Sequence, residues 1–342
     1  MLHEELLSTV EKIACRGKGI LAADESTGTI KKRFDSIGIE STEENRQAYR
    51  ELLFTTPGIA SYISGVILYE ETLFQKTSEG VPFPQYLESQ GVIPGIKVDL
   101  GLIDLAGSKA EKTTQGLDGL PERLVRFKEA GARFAKWRCV YDMTDHKPSC
   151  QAVYTNAELL ARYAAMCQEA GIVPIVEPEV LMNGEHTIER CEDVTEWVLK
   201  EVFSALNRHH VFLEGIILKP SMVIAGDKCP TCASALEVAQ KTVRLLKRMV
   251  PSAVPTINFL SGGQSSEDAT LHLDLMNKLS ALPWNVSFSY GRALQDHTLH
   301  AWRGKKENVN LAQQAFQKRM RLNSLASKGE YTSSMEETPI LA

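Results

Sequence analysis

Gly215-Ile216-Ile217-Leu218-Lys219-Pro220 is a short apolar run that ends on a lysine and is stopped by a proline. Its β-branched and aliphatic residues predict a buried strand. A lysine at the exit of such a strand is costly unless it is paired or put to chemical use. Burial and a neighbouring cation both favour the neutral amine, which is the form that attacks a carbonyl. A salt-bridged or snorkelling structural lysine is the competing reading of this segment taken alone. The other strands decide between the two, because they end in the same way.

Working outward, strand-like runs cover 17–24, 62–69, 91–99, 132–140, 172–180, 213–220, 253–262 and 284–293. Amphipathic helical patterns lie between them at 41–54, 120–130, 156–170, 195–207, 233–249, 265–279 and 309–326. Ser41 with Glu44 has the spacing of a capping box, Ser265 with Asp268 offers a looser version, and Gly131 and Gly171 stand where helix-ending glycines belong. Strands that alternate with helices imply a parallel sheet, and eight such repeats predict an α/β TIM (β/α)8 barrel. A doubly wound open sheet is the alternative. It lacks its signature here: no GxGxxG follows the first strand, and no helix opens with a P-loop. Residues 1–342 read as a single barrel domain with a short N-terminal helix and a flexible C-terminal tail from about 327.

The chain has 342 residues, 43% hydrophobic and 24% charged, which is ample material for a core. A net charge of −5 argues against a general nucleic-acid or membrane-surface binder, so a bound anion must be held by a local cationic pocket. Met1-Leu2-His3-Glu4-Glu5 lacks the basic-then-apolar pattern of a signal peptide, and no apolar stretch reaches the roughly 18 residues of a membrane span. Seven scattered cysteines, an odd number, fit reduced thiols in a cytoplasmic protein better than a disulfide framework.

In a barrel the chemistry sits where the strands finish. Read in order, the strand ends carry Asp24, Lys97 with Asp99, Lys136 and Arg138, Glu177 and Glu179, Lys219, Ser261-Gly262-Gly263, and Ser289, Gly291 and Arg292. Lys136/Arg138 and Glu177/Glu179 are i, i+2 pairs, so each pair projects to one side of its strand. Cations gathered in an acidic protein call for an anionic substrate. Ser261-Gly262-Gly263 and Gly291-Arg292 have the form of a barrel phosphate cradle, where backbone N–H groups approach closely because glycine has no side chain. Ser26, Thr29 and Arg33 after strand one put polar groups at the other end of the cavity, which suggests a bis-phosphorylated ligand. Lys136 beside Lys219 is expected to lower the nucleophile's pKa, and Glu177/Glu179 to shuttle protons, one carboxyl protonated and its partner paired with a lysine.

The segments Leu21-Ala22-Ala23-Asp24-Glu25-Ser26, Phe134-Ala135-Lys136-Trp137-Arg138-Cys139, Pro174-Ile175-Val176-Glu177-Pro178-Glu179, Leu218-Lys219-Pro220, Phe259-Leu260-Ser261-Gly262-Gly263-Gln264 and Ser289-Tyr290-Gly291-Arg292-Ala293 resemble class I fructose-bisphosphate aldolase, in order, from about residue 5 to about 332. The resemblance implies a Schiff-base retro-aldol cleavage of fructose 1,6-bisphosphate to dihydroxyacetone phosphate and glyceraldehyde 3-phosphate. It gives Lys219 the attack on the C2 ketone and Glu177 the protonation of the carbinolamine hydroxyl, then the role of base on the C4 hydroxyl. Asp24 would assist C–C cleavage, Lys136 would stabilise negative charge, and Glu179 would hold the lysines in register. Ser261, Gly262, Gly263, Ser289, Gly291 and Arg292 would hold one phosphate, while Ser26, Thr29, Arg33, Lys97 and Arg138 would help with the rest. No metal or other cofactor is implied, and a homotetramer is. In agreement, no two of the eight histidines lie on strand ends with metal-ligand spacing. His209-His210 precede strand six, at its wrong end for chemistry.

Two features depart from the family pattern. Animal members end in a tyrosine that folds over the site and moves a proton at C3. This chain ends Glu336-Glu337-Thr338-Pro339-Ile340-Leu341-Ala342, with Tyr331 its last tyrosine, so a slower or differently controlled C3 step is expected. Cys229-Pro230-Thr231-Cys232 is a lone Cys-x-x-Cys, read as ordinary loop cysteines rather than a zinc or redox pair. Three other readings compete: a different Schiff-base aldolase or transaldolase, a phosphate-binding barrel isomerase, and an additional scaffold role. Sedoheptulose 1,7-bisphosphate is a credible second substrate.

Overall fold

The structure is a computed structural model that describes residues 2–144, 146–279 and 281–337. Its strands are β1 (Gly19–Ala23), β2 (Ile63–Leu68), β3 (Ile93–Lys97), β4 (Leu102–Asp104), β5 (Lys112–Thr114), β6 (Phe134–Tyr141), β7 (Val173–Val180), β8 (Ile217–Leu218), β9 (Thr256–Phe259) and β10 (Asn285–Tyr290). Eight of them close a parallel barrel in the order β1-β10-β9-β8-β7-β6-β3-β2, and β4 and β5 form a separate antiparallel hairpin. The helices are α1 (Leu2–Ile13), α2 (Thr27–Asp35), α3 (Glu43–Phe54), α4 (Glu70–Phe74), α5 (Phe83–Ser89), α6 (Leu120–Glu129), α7 (Cys150–Glu169), α8 (Ile188–Arg208), α9 (Ala235–Met249), α10 (Ser266–Leu279), α11 (Arg292–Trp302) and α12 (Val309–Ala326). The TIM barrel expected from the sequence is thus present. Among the described residues no helix is long and apolar enough to cross a membrane.

The barrel strands are buried on both faces, and β1 and β8 are accordingly uninterrupted apolar runs. Outside, the helices pack a belt of aliphatic and aromatic side chains against the sheet. Inside, Phe134 lies across the backbones of Gly95 and Gly65, and a Cβ added at Gly95 would come 2.3 Å from its ring; on the outer face Phe288 covers Gly19, where a Cβ would come 2.5 Å from the ring. Leu6, Val10 and Ile13 of α1 join Ile20, Phe134, Val173, Ile175 and Ile217 in one buried cluster, so the N-terminal helix plugs the barrel. The polar ends of the strands are left to the opposite face.

Local signals hold in part. Gly131 and Gly171 close α6 and α7 in the left-handed region at φ 111° and 69°, with Ala132 N donating to Phe127 O and Ile172 N to Cys167 O. Ser265 Oγ accepts from Asp268 N at 3.0 Å and donates to its carboxylate at 2.7 Å. The cap of α3 is Thr42 rather than Ser41: Thr42 Oγ1 accepts from Asn45 N at 3.1 Å, one residue later than the Ser41/Glu44 spacing suggested. The run 213–220 is strand only at Ile217–Leu218, because Leu213–Gly215 form a 3-10 turn.

Part of the expected flexible tail is pinned. Tyr331 is buried, its N–H donates to Asp274 Oδ1 at 2.9 Å, and its hydroxyl donates to Glu336 Oε1 at 3.0 Å. Glu336 in turn meets the fully buried Arg319 at 2.6 Å. The remainder of that tail, 338–342, lies outside the described residues.

Candidate active site

A cavity of about 910 Å³ opens at the carboxyl ends of the strands, and every candidate site residue named from the sequence lines it. At its floor the side chains form one chain of charges. Lys136 Nζ on β6 stands 2.8 Å from Asp24 Oδ2, just past β1, and 3.2 Å from Glu177 Oε2 on β7. Lys219 Nζ, one residue past β8, stands 3.2 Å from the other oxygen, Glu177 Oε1. The backbone holds Lys219 there, since its N–H donates to Val176 O at 2.8 Å. All four side chains are almost fully buried, Lys219 exposing 4% of its own surface and Glu177 5%.

Charges this deep survive only as partners. Burial alone would raise the Asp24 carboxyl, but the Lys136 and Lys219 ammoniums hold it well below the usual carboxylate range. Burial likewise works against Glu177, and Lys136, Lys219 and Arg138 outweigh it, so its pKa is lowered too. Lys136 is the mirror case: burial favours the neutral amine, yet Asp24, Glu177 and Asp99 raise its pKa.

Lys136 and Lys219 flank a single carboxylate, each on its own oxygen of Glu177. One expectation is thereby corrected. Glu179 does not hold a lysine: it accepts from Arg138 Nε, and of the two carboxyls it is Glu177, held ionised, that pairs with lysines.

The rim of the cavity is built for anions. Ser261-Gly262-Gly263 joins β9 to α10, with Gly262 at φ 51° and Gly263 at φ 85°. A Cβ on Gly263 would fall 2.5 Å from Met182 Sδ and 3.2 Å from Arg292 Nη2, so only glycine lets the guanidinium in. Gly291 is the N-cap of α11, and it and Arg292 line the same space at that helix start. Among the described residues the buried Ser289 Oγ has no hydrogen-bond partner, so its hydroxyl is open to a ligand oxygen.

Ser26 and Thr29, whose hydroxyls are 3.1 Å apart, line the β1 side. Arg33 was expected at the far end of the cavity from the glycine cradle. It flanks that cradle instead, its Nη2 lying 3.6 Å from where a Gly291 side chain would begin, because β1 and β10 are neighbours in the closed barrel. Lys97 and Arg138 supply the cations on the β3–β6 side, and Lys97 is tied to Asp99 at 2.6 Å.

Sequence reasoning passed over Glu25, Tyr69, Arg123 and Gln295, which share the cavity wall. Glu25 stood inside a quoted segment and drew no role. Arg50 behind it, 3% exposed, carried a readable signal, a charge on the apolar face of a helical pattern. Elsewhere His209 Nε2 meets Glu158 at 2.6 Å, a packing role away from the cavity, and Cys229 and Cys232 are free thiols. Among the described residues no group of three or more His, Cys, Asp or Glu is placed to hold a metal ion.

The profile of the family described as "Fructose-bisphosphate aldolase class-I" matches residues 5–340. "Fructose-bisphosphate aldolase 5, cytosolic" of Arabidopsis thaliana is 58% identical over 330 residues, 96% of this chain and 92% of that protein. The cytoplasmic isozyme of Spinacia oleracea is 56% identical over 329 residues, with the same two coverages of 96% and 92%. Among solved structures, fructose-bisphosphate aldolase from Plasmodium falciparum, in complex with TRAP and a small molecule inhibitor, superposes with a TM-score of 0.96 at 52% identity, covering 97% of this chain and 96% of that one.

Proposed function

The chain belongs to the class I fructose-bisphosphate aldolase family, lyases that split a ketose bisphosphate, and we propose that Lys219 is the Schiff-base nucleophile of that reaction here. The observation that carries this reading is the 3.2 Å contact between Lys219 Nζ and Glu177 Oε1. The attacking amine must be neutral and the acid that expels the carbinolamine hydroxyl must be protonated. Passing one proton from the Lys219 ammonium to the Glu177 carboxylate meets both needs. Lys219 then adds to the C2 ketone of fructose 1,6-bisphosphate. The Glu177 carboxyl protonates the departing hydroxyl, water leaves, and a protonated imine remains. Glu177, again a carboxylate, takes the C4 hydroxyl proton as the C3–C4 bond breaks, and the electron pair moves into the iminium to give an enamine. Glyceraldehyde 3-phosphate leaves first. Protonation of the enamine at C3 and hydrolysis then release dihydroxyacetone phosphate.

Lys136 is the fixed cation of the site: bonded to Asp24 and Glu177, it stabilises negative charge at the reacting oxygen while Asp24 orients the iminium. Glu179 acts through Arg138 rather than on the lysines. One phosphate is assigned to Ser261, Gly262, Gly263, Ser289, Gly291 and Arg292, with Arg33 at its edge, and the remainder of the substrate to Ser26, Thr29, Lys97 and Arg138. The chain is proposed to act as one barrel domain, in the cytosol as the names of its relatives suggest, and as a homotetramer, which light scattering of the purified protein tests.

The assay is cleavage of fructose 1,6-bisphosphate, coupled to triose-phosphate oxidation or reduction, before and after chelator treatment. Turnover that survives the chelator and is lost in Lys219→Met supports the reading. Turnover that requires an added divalent ion, or that persists in Lys219→Met, contradicts it.

A further inference from the structure

Behind the phosphate cradle lies a buried charge cluster that the reaction steps do not use. Glu25 is buried, and each of its oxygens meets a different arginine: Oε1 pairs with Arg33 Nη1 of α2, and Oε2 with Arg50 Nη1 of α3 at 2.7 Å. Gln295 of α11 braces it, its Nε2 donating to Glu25 Oε1 at 3.0 Å and to Ala22 O at 2.8 Å. Arg50 also reaches Glu25 O at 3.4 Å. One carboxylate thus serves two guanidiniums, leaving the cluster one positive charge in excess. The excess has a direction: Arg33 is the less buried of the pair, its side chain 23% exposed against 3% for Arg50. With Nη1 held by Glu25, its Nη2 is left beside Gly291.

We propose that Glu25 is a positioning residue for Arg33, holding one arm of its guanidinium so that the other is aimed at the phosphate seated on Gly291-Arg292. The inference rests on the phosphate assignment above and goes beyond it by naming what orients the cation. Two effects oppose each other when the carboxylate is removed. Loss of a negative charge near a phosphate favours anion binding, while loss of the brace frees a long side chain that must then be ordered by the ligand. Arg50, buried with Glu25 as its ion-pair partner, would also compete for whatever acceptor remains. The geometry favours orientation as the larger effect, since Glu25 occupies the arm of Arg33 that faces away from the cradle.

The test titrates inorganic phosphate into the protein by calorimetry and compares KM with kcat for fructose 1,6-bisphosphate, in wild type, Glu25→Gln, Arg33→Lys and the double variant. Glu25→Asp, which keeps the charge and shortens the reach, serves if Glu25→Gln folds poorly. The expected result is phosphate binding weakened about tenfold in Glu25→Gln and partly in Glu25→Asp. KM should rise in step, kcat should change less than about threefold, and Arg33→Lys should add little on top, because coupled residues are non-additive. Unchanged or tighter phosphate binding in Glu25→Gln, or full additivity with Arg33→Lys, overturns the proposal. The phosphate titration involves no turnover, so it fails or succeeds independently of whether Lys219 forms an adduct.

Discussion

Glu177 answers two ammoniums with one carboxylate, and that arrangement sets what its replacement should do. Glu177→Gln keeps the shape but can neither take the Lys219 proton nor return one to the leaving hydroxyl. General acid–base groups contribute about 10²–10⁴ in rate, so kcat for cleavage is expected to fall by about that factor, with KM changed far less. A loss confined to KM in the coupled assay would place Glu177 in binding and not in proton transfer. Much at this scale was legible in the sequence, because the residues that matter sit at strand ends and alternate with period two, as Lys136/Arg138 and Glu177/Glu179 do. What was not legible is pairing across strands. The assignment of Glu179 to a lysine fails because, by register, Arg138 lies beside Glu177 and two residues short of Glu179's level, and its long guanidinium side chain reaches outward to that carboxylate.

At the scale of elements, the barrel depends on strand glycines that make room for phenyl rings. Gly95→Ala would drive a methyl to 2.3 Å from the Phe134 ring inside a closed sheet that cannot give. Overpacking of this kind costs about 1–3 kcal/mol, and the thermal midpoint is expected to drop accordingly. Gly28→Ala, in open space within α2, is the contrasting case: calorimetry should show it neutral or slightly stabilising, by about 0.4–1 kcal/mol. The eight barrel strands were all foreseen, since continuous β-branched runs mark strands covered on both faces. Less visible were α2, α4, α5 and α11. They are short or begin directly at the residues that end a strand, so chemistry-bearing positions such as Thr29, Arg33 and Arg292 mask the helical period. The β4–β5 hairpin escaped for another reason: its strands are three residues each, and Leu102 and Ile103 stay exposed, which leaves no alternation to read.

The whole molecule joins these parts through buried charge, and its response to pH follows. Asp24, Glu25 and Glu177 have folded pKa values below their unfolded ones, so their contribution is complete above the ordinary carboxylate range near 4 and is lost as pH falls through the lowered folded values. Lys136 has the opposite sign: its contribution is complete below about 10.4 and is lost only as pH rises through its raised folded value. Burial also lowers the His272 pKa and raises those of the Cys139 and Cys167 thiols, so stability begins to fall below about 6.5 and above about 8.5, and denaturant unfolding is expected to show its plateau between those values. A stability maximum confined to one side of neutrality would contradict this. The C-terminal segment contributes separately: Tyr331→Ala is expected to cost about 3 kcal/mol of stability through its buried ring, although Tyr331 does not line the cavity. Sequence composition gave no hint of this anchor, because a single tyrosine in a polar stretch has no periodic company.

The central claim, a buried lysine amine that condenses with a ketose phosphate, is tested most directly by borohydride reduction in the presence of dihydroxyacetone phosphate, followed by peptide mass mapping. The account expects one covalent adduct, on the peptide containing Lys219, and none in Lys219→Arg. An unmodified Lys219 peptide in protein that still cleaves fructose 1,6-bisphosphate, or an adduct seated on Lys136 instead, would contradict it.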